Sequence, residues 1–120
     1  MKKPEEIRVP EIRFVGEQDG PAERHLKGKL SELFRHSNNV QRAFLARVAL
    51  RGTGNLDVVL ALRFENGPDK DMVNKVGAVF ASLFNTDEHL DIVFLTKQQE
   101  SELIVVCQPF FEKRSILPTF

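Results

Sequence analysis

The feature that most constrains this chain is the run Leu56-Asp57-Val58-Val59-Leu60-Ala61-Leu62-Arg63-Phe64, in which every second residue is large and apolar. Side chains alternate across a strand, so Leu56, Val58, Leu60, Leu62 and Phe64 share one face and need a core on that side. Upstream, residues 40 to 51 switch to the same period of two, with Phe44, Val48 and Leu50 opposite Gln41, Arg47 and Arg51. Gly52-Thr53-Gly54-Asn55 lies between the two runs and reads as the turn of a hairpin.

Helical patterns flank that hairpin. Leu26, Leu30, Leu33 and Phe34 fall at helical spacing after Asp19-Gly20-Pro21, where a proline suits a first turn whose N–H has no partner. That helix is expected to end near Ser37, with Arg24, Lys27, Lys29, Glu32 and Arg35 on its charged face. A second stripe, Val73, Val76, Phe80, Leu83 and Phe84, follows Asn66-Gly67-Pro68-Asp69, with Gly77 placed to let the helix approach the sheet.

Ile12 and Phe14 form a short first strand, and Leu90, Ile92 and Phe94 a fourth. Residues 97 to 108 carry both signals: Leu103-Ile104-Val105-Val106 is β-branched like a strand, while Thr96 and Gln99 make a capping box. A short third helix is the reading adopted, with Pro109-Phe110-Phe111 ending it and an extended tail beyond.

The order βαββαβ predicts an α+β two-layer sandwich, ferredoxin-like or related, with a mainly antiparallel four-stranded sheet and helices on one face. Residues 1 to 10, charged and holding Pro4 and Pro10, read as a flexible arm ahead of a single domain over 11–120.

Composition narrows the function. Seventeen basic side chains balance seventeen acidic ones, so no overall field draws the chain to nucleic acid or anionic lipid. Arg42, Arg47, Arg51 and Arg63 offer charge without stacking groups, tryptophan and tyrosine being absent, so no nucleic-acid partner is expected. No apolar run reaches the roughly 18 residues of a spanning helix, and no h-region follows Lys2-Lys3, so neither a membrane span nor a signal peptide is expected. The single cysteine, Cys107, cannot form an internal disulfide and sits among apolar neighbours, which fits a buried thiol in a reducing, cytoplasmic compartment.

Chemical motifs do not assemble. His25 and His36 lie on one helix about 16 Å apart along its axis, too far to share an ion. His89 beside Glu88 has no second ligand pair, and Gly52-Thr53-Gly54 lacks the third glycine and following helix of a dinucleotide loop. No nucleophile elbow and no His-Glu-x-x-His pattern occur. The expectation is a non-enzymatic domain without cofactor or metal.

The sheet offers a different kind of site. With Phe44, Val48, Leu60, Leu62, Ile92 and Phe94 facing the helices, the other face would carry Ala43, Leu45, Ala49, Val59, Ala61, Val93 and Leu95, flanked by Arg47, Arg51, Arg63 and Asp57. An apolar centre rimmed by arginines is the composition of a partner surface, so Leu45, Arg47, Val59, Ala61, Arg63, Val93 and Leu95 are the candidate partner-binding residues. They would hold a protein partner, or a second copy in a homodimer, through an open sheet face. The alternative is that the segment after residue 97 folds across that face.

Gly16-Glu17, the strand Val40-Gln41-Arg42-Ala43-Phe44-Leu45-Ala46, Asp91-Ile92-Val93 and the closing Pro109-Phe110-Phe111-Glu112-Lys113 together resemble, in order, the C-terminal domain of the bacterial enhanced serine sensitivity protein family, SseB. The resemblance covers roughly residues 11 to 114. It implies a bacterial cytoplasmic protein of poorly defined activity, usually a domain beside an N-terminal partner domain for which 120 residues leave no room. It carries no catalytic residue with it. A secretion translocator shares the short name, but the long coiled coil or apolar hairpin it would need is missing from the sequence. The expected role is a protein-interaction module; the alternatives are an immunity or secretion-accessory protein for one dedicated partner, and a regulatory domain sensing a small metabolite.

Overall fold

The structure, a computed structural model, describes residues 12–50, 56–84 and 90–113. The arm expected over residues 1–10, the turn expected at 52–55, His89 and the tail expected after residue 113 lie outside the described residues.

The elements run β1 (Ile12–Glu17), α1 (Pro21–Arg35), β2 (Val40–Leu50), β3 (Leu56–Phe64), α2 (Lys70–Leu83), β4 (Asp91–Phe94), α3 (Lys97–Leu103) and β5 (Phe111–Glu112). The α+β two-layer reading holds, and so does the third helix. The sheet is mixed: strand order is β1-β2-β3-β4, with β1, β3 and β5 antiparallel to β2 and with β4 parallel to β3. β1 to β4 are therefore neighbours in chain order instead of interleaving as in a split βαβ sheet, which makes this one of the related arrangements.

A fifth strand was not legible. Phe111–Glu112 pairs with Ala43 and Arg42, while β1 pairs with the part of β2 from Ala46 to Leu50. Two segments far apart in sequence thus share one edge of β2, and Gln18 N donates to Leu45 O (3.0 Å) where they meet. A two-residue strand leaves no periodicity to detect.

On the first face, α1 and α2 cover the sheet. Leu26, Leu30 and Phe34 of α1 and Met72 and Val76 of α2 meet Val40, Ala43, Leu45, Leu60, Leu62 and Phe64 in one buried cluster. Phe34, fully buried, also receives Phe111 edge-on at 5.6 Å, which fastens β5 to α1; burying such a ring stabilises the fold by about 1.5–3 kcal/mol. Asp69 caps α2 by accepting from Met72 N (3.2 Å).

Two details correct the sequence reading. Gly77 is exposed, with open space around the position a Cβ would take, so α2 does not use it for close approach. Lys27, assigned to the charged face of α1, is 9% exposed. Its Nζ donates to Glu17 (2.9 Å) and Asp19 (3.1 Å), joining α1 to the end of β1.

The turn after β3 is built around Asn39. Its Oδ1 accepts from Asn66 N (2.7 Å) and its Nδ2 donates to Gly67 O (3.1 Å). Gly67 has φ 94°, a left-handed conformation that favours glycine.

Candidate interaction surface

The second face of the sheet is not open. Register decides which side chains it carries: Leu45 is paired with Leu60 and Ala43 with Leu62, whereas Phe44 is paired with Ala61 and Ala46 with Val59. Cross-strand partners share a face, so Leu45 lies in the α1/α2 core and Phe44 lies on the other side. There Phe44, Ala46, Val48, Val59, Ala61, Val93 and Leu95 form a second buried cluster, closed by Leu103 and Cys107 with Phe14 packed beside it. The predicted open face is therefore corrected: Leu45, Val59, Ala61, Val93 and Leu95 are all buried. Of the seven candidates, Val59, Ala61, Arg63, Val93 and Leu95 come together on the second face, Leu45 faces the helices, and exposed Arg47 is displaced with it.

What covers the second face is the connection from β4 to β5. Leu95 N donates to Leu62 O (2.8 Å) at one side of the sheet, and Phe110 N donates to Ala43 O (2.9 Å) at the other. Residues 96 to 109 cross between these points. Thr96 and Gln99 form the reciprocal capping box, with Gln99 N to Thr96 Oγ1 at 3.1 Å and Thr96 N to Gln99 Oε1 at 2.8 Å. Gln99, Leu103 and Cys107, four residues apart, are the buried stripe of this strap.

An ion cluster pins it. Arg42 and Arg63 are direct partners across β2 and β3, a like-charge juxtaposition that is unfavourable alone. Glu100 of α3 lies between them, one oxygen 3.0 Å from Arg42 Nη1 and the other 3.5 Å from Arg63 Nε, while Glu112 of β5 takes Arg42 Nε at 2.9 Å. The hydrogen bonds to Glu112 and Glu100 hold the Arg42 pKa above the ordinary arginine value. Arg63 Nε is buried without a hydrogen-bond acceptor, its Nη1 donating instead to Phe64 O at 3.2 Å.

Beyond Leu103 the strap turns outward. Ile104, Val105 and Val106 are 44%, 80% and 40% exposed, held between buried Leu103 and Cys107. Sequence reasoning missed this apolar turn because β-branched residues in a row suggest burial. The signal that places it is the four-residue spacing of Gln99, Leu103 and Cys107, which leaves all three residues off the buried stripe.

The Cys107 thiol is buried, with Leu45 O 3.6 Å from Sγ, and burial pushes its pKa up to about 11. A thiol so held is protonated at neutral pH. Among the described residues no group of three or more His, Cys, Asp or Glu side chains is placed to hold a metal ion, and no helix is long and apolar enough to cross a membrane. An open hollow of about 310 Å³ lies between the start of α1 and the end of α2, lined by Pro21, Ala22, His25, Leu83 and Phe84.

Fold and surface together describe a small α+β domain with a mixed sheet buried on both faces and an apolar turn at its rim. The SseB protein C-terminal domain family matches residues 18–113, and the chain belongs to that family. No curated protein and no solved structure gives a match.

Proposed function

We propose that this chain is a non-enzymatic protein-interaction module and that its contact surface is the apolar turn Ile104-Val105-Val106. The observation that carries the reading is Val105: a branched apolar side chain 80% exposed, between two neighbours each about half as exposed. Single exposed apolar residues are ordinary, but three in a row on a short, anchored turn form a patch that water solvates poorly and a partner could cover. The turn is preorganised by Leu103 and Cys107, so binding would cost little ordering entropy. Val105→Lys tests the reading: the variant keeps the wild-type melting temperature and loses the partner, or the self-association, that the unmodified chain shows.

A second reading, a domain that senses a small metabolite, is favoured by the hollow at Pro21, Ala22, His25, Leu83 and Phe84. Its test is a ligand-induced rise in melting temperature that His25→Ala removes and Val105→Lys leaves intact.

A further inference from the structure

The second face is capped by a short segment held at a few points. α3 is seven residues long, too short to hold a helix without its packing. Only Gln99, Leu103 and Cys107 of residues 96–108 are buried, and Ile104, Val105 and Val106 contribute no burial of comparable depth. Its fastening combines Leu103 and Cys107, which close the second core, with an ion cluster that is incomplete: Glu100 holds Arg42 at 3.0 Å, while Arg63 Nε, 3.5 Å from the same carboxylate, has no hydrogen-bond acceptor. Backbone hydrogen bonds at Leu95 and Phe110 anchor both ends of the segment to β3 and β2. The first core of α1, α2 and the sheet contains none of residues 96–108.

We infer that residues 96–108 are a self-occupying strap, which opens as one unit while the sheet and the α1/α2 core stay folded. Opening uncovers an apolar strip of Phe44, Val59, Ala61 and Val93 headed by two arginines. That strip complements a partner segment that is amphipathic and acidic, the chemistry that Glu100 and Leu103 supply within the chain. The rim turn Ile104-Val105-Val106 moves with the strap, so the device goes beyond the interaction reading; it is measured on the isolated chain and stands or falls without any partner.

Cys107 is the natural reporter, because it is the only cysteine and is buried under the strap. The purified full chain is mixed with excess disulfide-exchange reagent at about pH 8, where a released thiol reacts, and the labelling rate is followed across urea below the unfolding transition. If the strap opens alone, labelling at low urea is nearly independent of denaturant and faster than global unfolding allows. Glu100→Gln then accelerates it about ten- to a hundredfold, while Leu30→Val in the first core lowers global stability and leaves the low-urea rate unchanged. Labelling that follows the global unfolding line at every urea concentration, or that Leu30→Val accelerates as much as Glu100→Gln, overturns the inference. The wild-type urea dependence alone decides the matter should a variant fail to fold.

Discussion

Arg42 and Arg63 stand directly opposite one another on neighbouring strands, and the carboxylate of Glu100 on α3 lies between them. The pair explains why a seven-residue helix is tied to the sheet: without Glu100, Arg63 would lose the carboxylate beside it and Arg42 would be left to the exposed Glu112.

Glu100 and Glu112 both reach Arg42, but their side chains are 14% and 57% exposed. Removing the buried partner leaves uncompensated charge, whereas an exposed pair is screened by solvent. Glu100→Ala is expected to lower unfolding free energy by about 1–3 kcal/mol, and Glu112→Ala by less than about 1 kcal/mol. Urea melts of both variants check the ranking.

The capping box makes a second, local prediction. Thr96→Ala removes the acceptor for Gln99 N and is expected to cost about 1 kcal/mol. Gln99→Ala and the double variant complete a cycle, and because the two bonds are reciprocal their losses are expected to be non-additive.

Lys27 defines a pH window. Hydrogen bonding from Lys27 holds the Asp19 pKa below its ordinary 3.8, so that contribution is present above the ordinary carboxylate value and is lost as pH falls through the folded one. Burial opposes the Lys27 charge, but the hydrogen bonds to Glu17 and Asp19 outweigh it and raise its pKa above 10.5. This contribution is present below the ordinary lysine value and is lost as pH rises through the folded one. The stability difference between wild type and Lys27→Met is therefore expected to be flat between about pH 5 and pH 9 and to shrink in acid and in strong alkali, as urea melts across that range would read.

Leu45→Lys and Val105→Lys form a contrasting pair. Leu45 is 1% exposed in the main core and Val105 80% exposed on the strap. Placing an unpaired ammonium at Leu45 is expected to cost at least about 4 kcal/mol and to unfold the chain, while Val105→Lys stays within about 0.5 kcal/mol of wild type. Circular dichroism melts separate them.

Much of the fold was legible because its elements obey their own periods. β3 alternates through Leu60, Leu62 and Phe64, α1 repeats through Leu26, Leu30 and Phe34, and the capping box at Thr96 announces α3. The site was legible only in part. Ala43-Phe44-Leu45-Ala46 is apolar at four successive positions, as expected of a strand buried on both faces, and such a run has no period to say which residue faces which core. Assigning the larger Phe44 to the helix side put Leu45 on the wrong face. The pairing of Leu45 with Leu60, a long-range fact, sets it right. Arg63 lies on the same face as Val59 and Ala61, but the carboxylate beside it, Glu100, is 37 residues further on and no local pattern joins them.

Whether the turn Ile104-Val105-Val106 is a contact surface is decided by comparing wild type, Val105→Lys and a control, Ala78→Lys, at an exposed position of α2, the helix on the other face of the sheet. Each is used to capture partners from the host lysate and is measured for self-association by sedimentation. One dominant partner, or a dimer, is expected with wild type and with Ala78→Lys and is expected to be missing with a fully folded Val105→Lys. Identical capture and sedimentation for all three folded proteins would contradict the contact-surface reading.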